Sequence, residues 1–235
     1  MAGETGAQDD AAARPVLSRA QVIRTAIWLV DAEGAGALSM RRLGAEIGVE
    51  AMALYRYVDG REDLLDAMVD LVSAPVEDAA GKDVGESGGW RAYLWRLGQQ
   101  IRWMATDHPH IFPLVATRHP AAPWLRPPLR NLDMVEEFLR TLLQCGFSAG
   151  QAALVYRTFT SFLLGHLMLT AAELTKATGP AGELPGASSR TLSEFPTIVQ
   201  MSDLLSEPGR DAEEFDDDLE ALLDRIGALV GEPTD

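Results

Sequence analysis

Apolar residues recur at intervals of three and four along most of this chain, and no stretch alternates between apolar and polar residues for long enough to indicate a strand. The first helical stretch has clear end signals: Ser18 is a good N-cap with Gln21 three residues later, and Gly34 marks the end. Ser148 and Gln151 repeat the capping spacing before a long apolar stretch. The sequence therefore predicts an all-α protein.

Composition and helix breakers divide the chain into three parts. Residues 1–14 are rich in Ala, Gly and Asp without periodicity, which predicts a disordered tail. Residues 15–62 predict a three-helix domain, and residues 63–235 predict a larger helical domain. We expect prolines to limit helices, with Pro75 ending the fourth helix and Pro113 breaking a short segment further on.

Charge is distributed unevenly between these parts. The 235 residues carry a formal charge of −15, which by itself argues against a nucleic-acid partner because phosphate binding needs local positive charge. Residues 14–61, however, hold seven basic and five acidic side chains, a net charge of +2, whereas residues 62–235 carry −14. A small, mildly basic N-terminal module is thus attached to a large acidic body.

Three features indicate the compartment. The single cysteine, Cys145, cannot form an internal disulfide, which favours a reducing cytoplasm. The first 13 residues contain acids but no Lys or Arg, so they lack the basic region of a signal peptide. The longest dense apolar run, residues 162–169, covers eight positions, whereas a membrane-spanning helix needs about 20. We expect a soluble, cytoplasmic protein with no membrane partner.

The most informative stretch, residues 38–57, predicts two short helices joined by a tight turn. Ala45 is expected where the helices approach closely, Gly48 permits the turn, and Val49 and Leu54 would fill the angle. The second helix of such a pair can lie in a DNA major groove, although a plain helical corner is the alternative. Its outward residues are Ala51, Met52, Ala53, Arg56 and Tyr57.

Residues 17–72 resemble the N-terminal domain of the tetracycline-repressor (TetR) family of bacterial regulators. The specific parts are the Ala-Leu-Ser-Met-Arg-Arg-Leu run, the Gly-Val-Glu turn and Leu54-Tyr55-x-Tyr57-Val58. The body is similar, more weakly, to the tetracycline-repressor type of C-terminal domain at Gly89-Trp90, from Leu143 to Ser148, and from Phe162 to Glu173. The resemblance implies a ligand-responsive transcriptional regulator, most often a repressor, that binds a palindromic double-stranded DNA operator as a homodimer and is released by a small inducer.

The resemblance also implies which residues contact DNA. By position, Ser39, Met40 and Arg41 begin the second helix near phosphates and one base edge, and Tyr55 and Arg61 match phosphate-contacting positions. The base-reading face would consist of Ala51, Met52, Ala53, Arg56 and Tyr57. Because its first three residues replace more polar readers, we expect readout through Arg56 and through apolar contact with thymine methyl groups.

The body contains aromatic, Met and polar side chains that are candidates for a small-molecule site, since such sites are usually apolar pockets with a few polar groups. Ordinary core packing is the alternative for each of them. Arg157 and His166 are polar within an otherwise apolar helix and are the best orienting groups. The candidates are Trp103, Met104, His108, Phe112, Phe138, Arg157, Phe162 and His166.

Neither a metal nor a cofactor is expected. By position, the metal-ligating histidine of tetracycline-binding relatives falls near Val115, which favours a mostly apolar inducer over magnesium–tetracycline. His108-Pro109-His110 with His119 is not a strong zinc pattern, because the two-residue spacing surrounds a proline and no cysteine is nearby.

Two apolar helical stretches, from Tyr156 to Ala172 and from Phe215 to Val230, are too apolar for lone surface helices. Burial within one subunit would explain them, but the resemblance favours a homodimer interface built as a four-helix bundle. A carrier or enzyme of helical fold with no DNA role is the main alternative function, and an architectural DNA binder is a third. We expect no enzymatic activity, because no nucleophile–base pair, phosphate loop or paired carboxylate site is present in the sequence.

Overall fold

The computed structural model describes residues 17–80, 89–118, 126–129, 132–176, 195–205 and 211–230. Within these ranges every regular element is helical, which confirms the all-α prediction. The predicted disordered tail, residues 1–14, lies outside the described residues. The α-helices are α1 (Arg19–Glu33), α2 (Met40–Ile47), α3 (Ala51–Leu54), α4 (Arg61–Ala80), α5 (Gly89–Asp107), α6 (Phe112–Thr117), α7 (Leu132–Gln144), α8 (Ala149–Lys176), α9 (Pro196–Leu205) and α10 (Asp211–Val230).

The predicted helix caps are confirmed. Oγ of Ser18 accepts a hydrogen bond from the Gln21 amide at 3.2 Å, and α1 ends at Gly34 with φ 82°. Before α8, the Ser148 amide donates to Oε1 of Gln151 at 2.8 Å, while Oγ of Ser148 accepts from the Gln151 amide at 3.3 Å. This reciprocal pair satisfies two amide donors at the helix start and fixes where α8 begins.

Two prolines do not act as predicted. α4 continues through Pro75 to Ala80, so the prediction that this helix ends at Pro75 is wrong. Val72 and Val76 flank the proline and are buried, and α4 packs along α5, so tertiary packing offsets the lost backbone hydrogen bond. Pro113 lies in the first turn of α6, where a helix amide has no intrahelical partner, and it begins this helix instead of breaking it.

The body is organised around α5, because α4, α8 and α10 all pack against it. A buried aromatic group joins α5, α7 and α8, with Phe138 at its centre. The Phe138 ring centroid lies 6.2 Å from that of Tyr93, 5.7 Å from that of Tyr156 and 5.7 Å from that of Phe159. α4 also packs against α1, so this one helix connects the N-terminal module to the body, and the predicted boundary at residue 62 falls at its start.

The length of the longest apolar run does not by itself exclude a membrane-spanning helix, as α8 shows. Ala149–Thr175 is long and apolar enough, by length and composition alone, to cross a membrane, although no uninterrupted apolar run within it is long. In the fold, its residues Val155, Phe159, Leu163 and Leu167 form a buried stripe at four-residue spacing, and the helix packs against α5, α6, α7 and α10. Such a stripe is typical of a helix in the core of a globular domain.

Candidate nucleic-acid interface

α2 and α3 form the predicted helix-turn-helix, with one correction. The helices approach each other at Gly44, whereas Ala45, the residue predicted for this place, is exposed. A Cβ on Gly44 would lie 2.8 Å from the carbonyl oxygen of Val49 and 3.2 Å from the amide nitrogen of Ala51, so no side chain fits there. Gly48 ends α2 in the left-handed region at φ 82°, as predicted for the turn. The two glycines together set the angle of α3.

α3 is a single turn that presents an exposed surface. Leu54 is fully buried and anchors it to the module. Met52 is 76 % exposed on the outer face, and Tyr55 and Arg56 are exposed beyond it. The other predicted base-reading residues are half-buried: Ala51, Ala53 and Tyr57. An exposed thioether followed by a guanidinium is an arrangement that can contact both thymine methyl groups and base-edge acceptors in a major groove.

The start of α2 is suited to a phosphate. Oγ of Ser39 accepts a hydrogen bond from the Arg42 amide at 3.2 Å, and the remaining amides of a helix's first turn have no intrahelical partner and can bind an anion. Met40 is half-buried and packs on the core, whereas Arg41 is exposed. The helix dipole and the Arg41 guanidinium therefore add positive charge at one end of α2.

Two arginines brace the module internally. Arg42 is held between Glu33 and Glu46, with a nitrogen–oxygen distance of 2.7 Å to each, and hydrogen bonds to these carboxylates raise the pKa of its guanidinium. Arg19 reaches Asp63 at 3.0 Å and so connects α1 to α4. Because these cations are already engaged with carboxylates, they supply less attraction to phosphate than the sequence count suggests.

Arg61, predicted as a phosphate contact, has a bracing role as well. Its Nε and Nη2 each lie 3.3 Å from a carbonyl oxygen, those of Leu38 and Ala35, in the connection between α1 and α2. Within the N-terminal module, residues 17–62, three arginines have no hydrogen bond or ion pair to the described parts of the chain: Arg24, Arg41 and Arg56. Arg24 is not among the predicted DNA contacts, because none of the positions that the resemblance gives to DNA lies on α1. Its place on the outer face of α1, beside the exposed Trp28, makes it an available cation.

The predicted ligand-binding residues do not share one surface. Met104, Phe112 and Phe138 are buried in the core. Trp103 and Arg157 are exposed, on α5 and α8 respectively. An open depression of about 390 Å³ between α5 and α10 contains none of the eight, and its lining is Arg91, Ala92, Trp95, Arg96, Glu220 and Leu223.

Two further candidates, Phe162 and His166, pack against α10. Their ring centroids lie 5.7 and 5.1 Å from that of Phe215, and Nδ1 of His166 is 3.8 Å from a carboxylate oxygen of Asp218. The Arg102 guanidinium lies over the same Phe215 ring at 5.3 Å. These contacts join α5, α8 and α10, so packing within the subunit buries one side of the two apolar stretches, while Leu169 and Leu229 remain exposed.

The last candidate, His108, lies at the junction between body and module. Its Nδ1 is 2.7 Å from Oδ2 of Asp31 on α1, and Nδ1 of His110 is 3.1 Å from the Asp31 carbonyl oxygen. The described residues contain no group of three or more potential ligands arranged for a metal ion. His119, the third histidine of the metal pattern considered above, lies outside the described residues.

Two family profiles match this chain. Residues 22–68 match bacterial regulatory proteins of the tetR family, and residues 84–229 match the tetracyclin repressor-like C-terminal domain. Among similar proteins, the HTH-type transcriptional repressor DrrR1 of Streptomyces coeruleorubidus is 30% identical over 242 residues, covering 97% of this chain and 84% of that protein. The class A tetracycline repressor protein from transposon 1721 in Escherichia coli is 27% identical, covering 87% of this chain and 88% of that protein.

Solved structures share the fold. A possible TetR family transcriptional regulator from Streptomyces coelicolor A3(2) matches with a TM-score of 0.71 at 28% identity, covering 90% of this chain and 100% of that one. TetR from Acinetobacter baumannii AYE matches with a TM-score of 0.71 at 22% identity, covering 92% of this chain and 99% of that one. Both domains, the helix-turn-helix geometry and the relatives agree: this chain belongs to the TetR family of bacterial transcriptional regulators.

Proposed function

We propose that this chain is a ligand-responsive transcriptional repressor that binds a palindromic operator as a homodimer and is released by a small, mostly apolar inducer. The observation that carries the proposal is the outer face of α3. Met52 is 76 % exposed there, and Arg56 has no hydrogen bond or ion pair to the described parts of the chain. The large apolar side chain on α3 and the unengaged cation in the turn just after it have no role in packing, and both suit a major groove.

The DNA contacts divide into positioning and reading contacts. Ser39, Arg41, Tyr55 and Arg61 would contact phosphates and fix the register of the module, without discriminating between sequences. Arg56 would donate to a guanine edge, and the α3 face formed by Ala51, Met52, Ala53 and Tyr57 would contact neighbouring bases, with Met52 against thymine methyl groups. Met40 would support the start of α2 from its half-buried position.

The outer faces of α8 and α10 support a homodimer. Leu154 and Leu169 of α8 and Leu229 of α10 are exposed in the single subunit, Leu169 at 69%. Gly165 is exposed between the two α8 leucines, with open space around it, so a partner helix would meet no side chain there. Two copies of α8 and α10 would form a four-helix bundle around a twofold axis, which places two α3 helices for a palindrome.

The inducer would bind within the body. Met104, Phe112 and Phe138 would offer the apolar surface, and Trp103, His108, Arg157, Phe162 and His166 would supply the remaining contacts. Val115 is fully buried and apolar at the position that the resemblance gives to a metal ligand, which supports an inducer bound without magnesium. Binding would shift the population of module orientations and lower operator affinity.

DNA binding distinguishes this proposal from the main alternative, a small-molecule carrier or enzyme without a DNA role. Members of the family are DNA-binding regulators, and we propose that this chain acts on DNA in the cytoplasm and catalyses no reaction. A carrier would retain ligand binding but would select no DNA sequence.

Selection of bound duplexes from a random pool, using the full chain, tests the proposal. We expect enrichment of one palindrome whose half-sites are about one helical turn apart, and binding that is weakened when Arg56 is replaced by Ala. Arg91→Ala is the matched control, because Arg91 is a partly exposed arginine of the body that is paired with Asp224 and Glu220 and lies outside the predicted DNA contacts. Failure to enrich any sequence would contradict the proposal.

A further inference from the structure

A small polar joint connects the body to the N-terminal module. Asp31, in the last turn of α1, is hydrogen-bonded to both histidines of the connection between α5 and α6. Nδ1 of His108 lies 2.7 Å from Oδ2 of Asp31, and Nδ1 of His110 lies 3.1 Å from its carbonyl oxygen. Because both acceptors are oxygens, each Nδ1 must carry a hydrogen. Gly34 lies beside this joint, and a Cβ there would make an ordinary van der Waals contact with the His110 ring at 3.7 Å.

His108 has a carboxylate at each ring nitrogen. Nδ1 faces Asp31, and Nε2 lies 3.3 Å from a carboxylate oxygen of Asp107. Nδ1 donates a hydrogen bond to Asp31, and the Asp107 carboxylate at Nε2 is a second negative charge beside the ring, so the surroundings favour the protonated imidazolium. Oδ1 of Asp31 is buried without a hydrogen-bond partner among the described residues, so this carboxylate depends on His108 for compensation of its charge.

Other charged groups lie at the joint. Arg118, at the end of α6, holds the start of α4 through Glu62 and Asp66, with distances of 3.1 and 2.7 Å. Asp31 and Asp107 are the carboxylates that face the His108 ring, and His110 contacts the backbone of the same Asp31. The hydrogen bond to Asp31 raises the pKa of His108 above its ordinary value, burial opposes this rise, and the charges of Asp31 and Asp107 add to it.

We propose that His108 is a positioning residue for operator binding: held by Asp31, it fixes the DNA-binding module against the body, and it does so more firmly when protonated. This inference rests on the proposed function. A module held in one orientation loses less freedom when two half-sites are engaged at once, so a firm joint strengthens binding to the full operator. The joint adds nothing to the contacts of a single module with DNA, so it does not affect binding to one half-site.

The pH dependence follows from the direction of the shift. A His whose pKa is raised by its partner contributes fully below its ordinary pKa of about 6.5, and the contribution is lost as pH rises through the raised value. Operator affinity should therefore fall between about pH 6.5 and 8.5. Because a charge-assisted hydrogen bond is roughly twice as strong as a neutral one, we expect a fall of about three- to tenfold.

The experiment measures fluorescence anisotropy of labelled duplexes with the full chain at constant ionic strength from pH 6.5 to 8.5. One duplex carries the selected palindrome and the other carries a single half-site. Wild type should show the pH-dependent loss on the palindrome alone. His108→Gln and Asp31→Asn should bind the palindrome about three- to tenfold more weakly at pH 6.5 and show a flat profile. Asp133→Asn, a change of the same chemistry at an exposed position on α7, should match wild type.

Each outcome decides between distinct explanations. A pH profile that is equal in wild type and His108→Gln would overturn the inference. Equal loss on the half-site and the palindrome in both variants would also overturn it, because the residues would then support the module itself. Thermal melts at both pH limits show whether the variants are folded, and His108→Gln, at a part-buried position, provides the readout if Asp31→Asn unfolds. Wild type that binds neither duplex would instead refute the proposed function.

Discussion

The N-terminal module and the body are both built from amphipathic helices, but the candidate functional residues of the module lie on its surface, whereas several of those of the body lie in its interior. In the module, Leu54 takes the buried position of α3, while Met52 and Arg56 remain on the surface without a packing role. In the body, the candidate groups are aromatic and Met side chains, and Phe138 is as buried as any core residue. A function on a surface therefore leaves residues that packing does not explain, whereas a function in an interior uses the residues that packing already requires.

Phe138→Ala is expected to have the largest effect and tests the body as a core. Phe138 contacts three aromatic rings and has no exposed surface, so its truncation should lower the free energy of unfolding by about 3–5 kcal/mol. Urea denaturation measures this change, with Leu132→Ala, at an exposed position of α7, as the control. A loss below about 1 kcal/mol would instead indicate that Phe138 borders open space and serves a ligand.

Gly44→Ala tests the geometry of the module. The new Cβ would lie 2.8 Å from the Val49 carbonyl oxygen, so the turn between α2 and α3 must shift, at a cost of about 1–3 kcal/mol. Operator affinity measured by anisotropy should fall with stability, because α3 is displaced. Gly36→Ala is the matched control, since a Cβ there meets nothing within 4 Å. Unchanged stability and affinity in Gly44→Ala would refute the close contact at this position.

Arg56→Ala tests the reading surface. We expect a loss of about 1–3 kcal/mol in binding free energy at one base position, with relaxed specificity there, because a bidentate contact to guanine is removed. Binding-site selection with the variant measures the change. Arg41→Ala is the contrasting variant and should weaken binding to all sequences alike. Unchanged preference at every position in Arg56→Ala would exclude the proposed role of Arg56.

These regions also differ in how far the sequence could predict them. The caps at Ser18 and Ser148 and the turn at Gly48 were predictable because local backbone chemistry determines them. The continuation of α4 through Pro75 was not, because burial against a distant helix outweighs the local preference. The contact point was displaced by one residue, from Ala45 to Gly44, since both residues are small and only the helix phase distinguishes them.

In the candidate site, too, the features that depend on local sequence were predictable and those that depend on distant contacts were not. The exposed face of α3 could be predicted from the helix phase around Leu54, and Arg56 has the predicted exposure. The sequence could not show which ligand candidates lie close together. Helical spacing predicts which residues share one face of a helix, but not which other helix packs against that face. Phe162 and His166 meet Phe215 of α10, a contact between residues about 50 positions apart in sequence. The sequence predicts His108 as a ligand contact, whereas in the structure its partner is Asp31, 77 positions earlier in the chain.

Tyr93 and Tyr156 provide the finest test of the body, because both touch Phe138 but differ at the hydroxyl. The Tyr156 hydroxyl accepts a hydrogen bond from the Arg126 amide at 2.7 Å, whereas the Tyr93 hydroxyl is buried without a partner among the described residues. Burial strongly raises the pKa of Tyr93, and the nearby Glu137 raises it further, so this hydroxyl keeps its proton.

Replacing each tyrosine by Phe should therefore change the free energy of unfolding in opposite directions. Tyr156→Phe removes the acceptor of the Arg126 amide and should destabilise the protein by about 1 kcal/mol, whereas Tyr93→Phe removes an unsatisfied hydroxyl and should stabilise it by about the same amount. Urea denaturation measures the free energy of unfolding of the two variants. Both lose one hydroxyl oxygen, so each is the control for the other. If Tyr93→Phe destabilises the protein instead, the hydroxyl has a partner in solution, and the interior of the body contains a polar anchor of the kind that a small-molecule site requires.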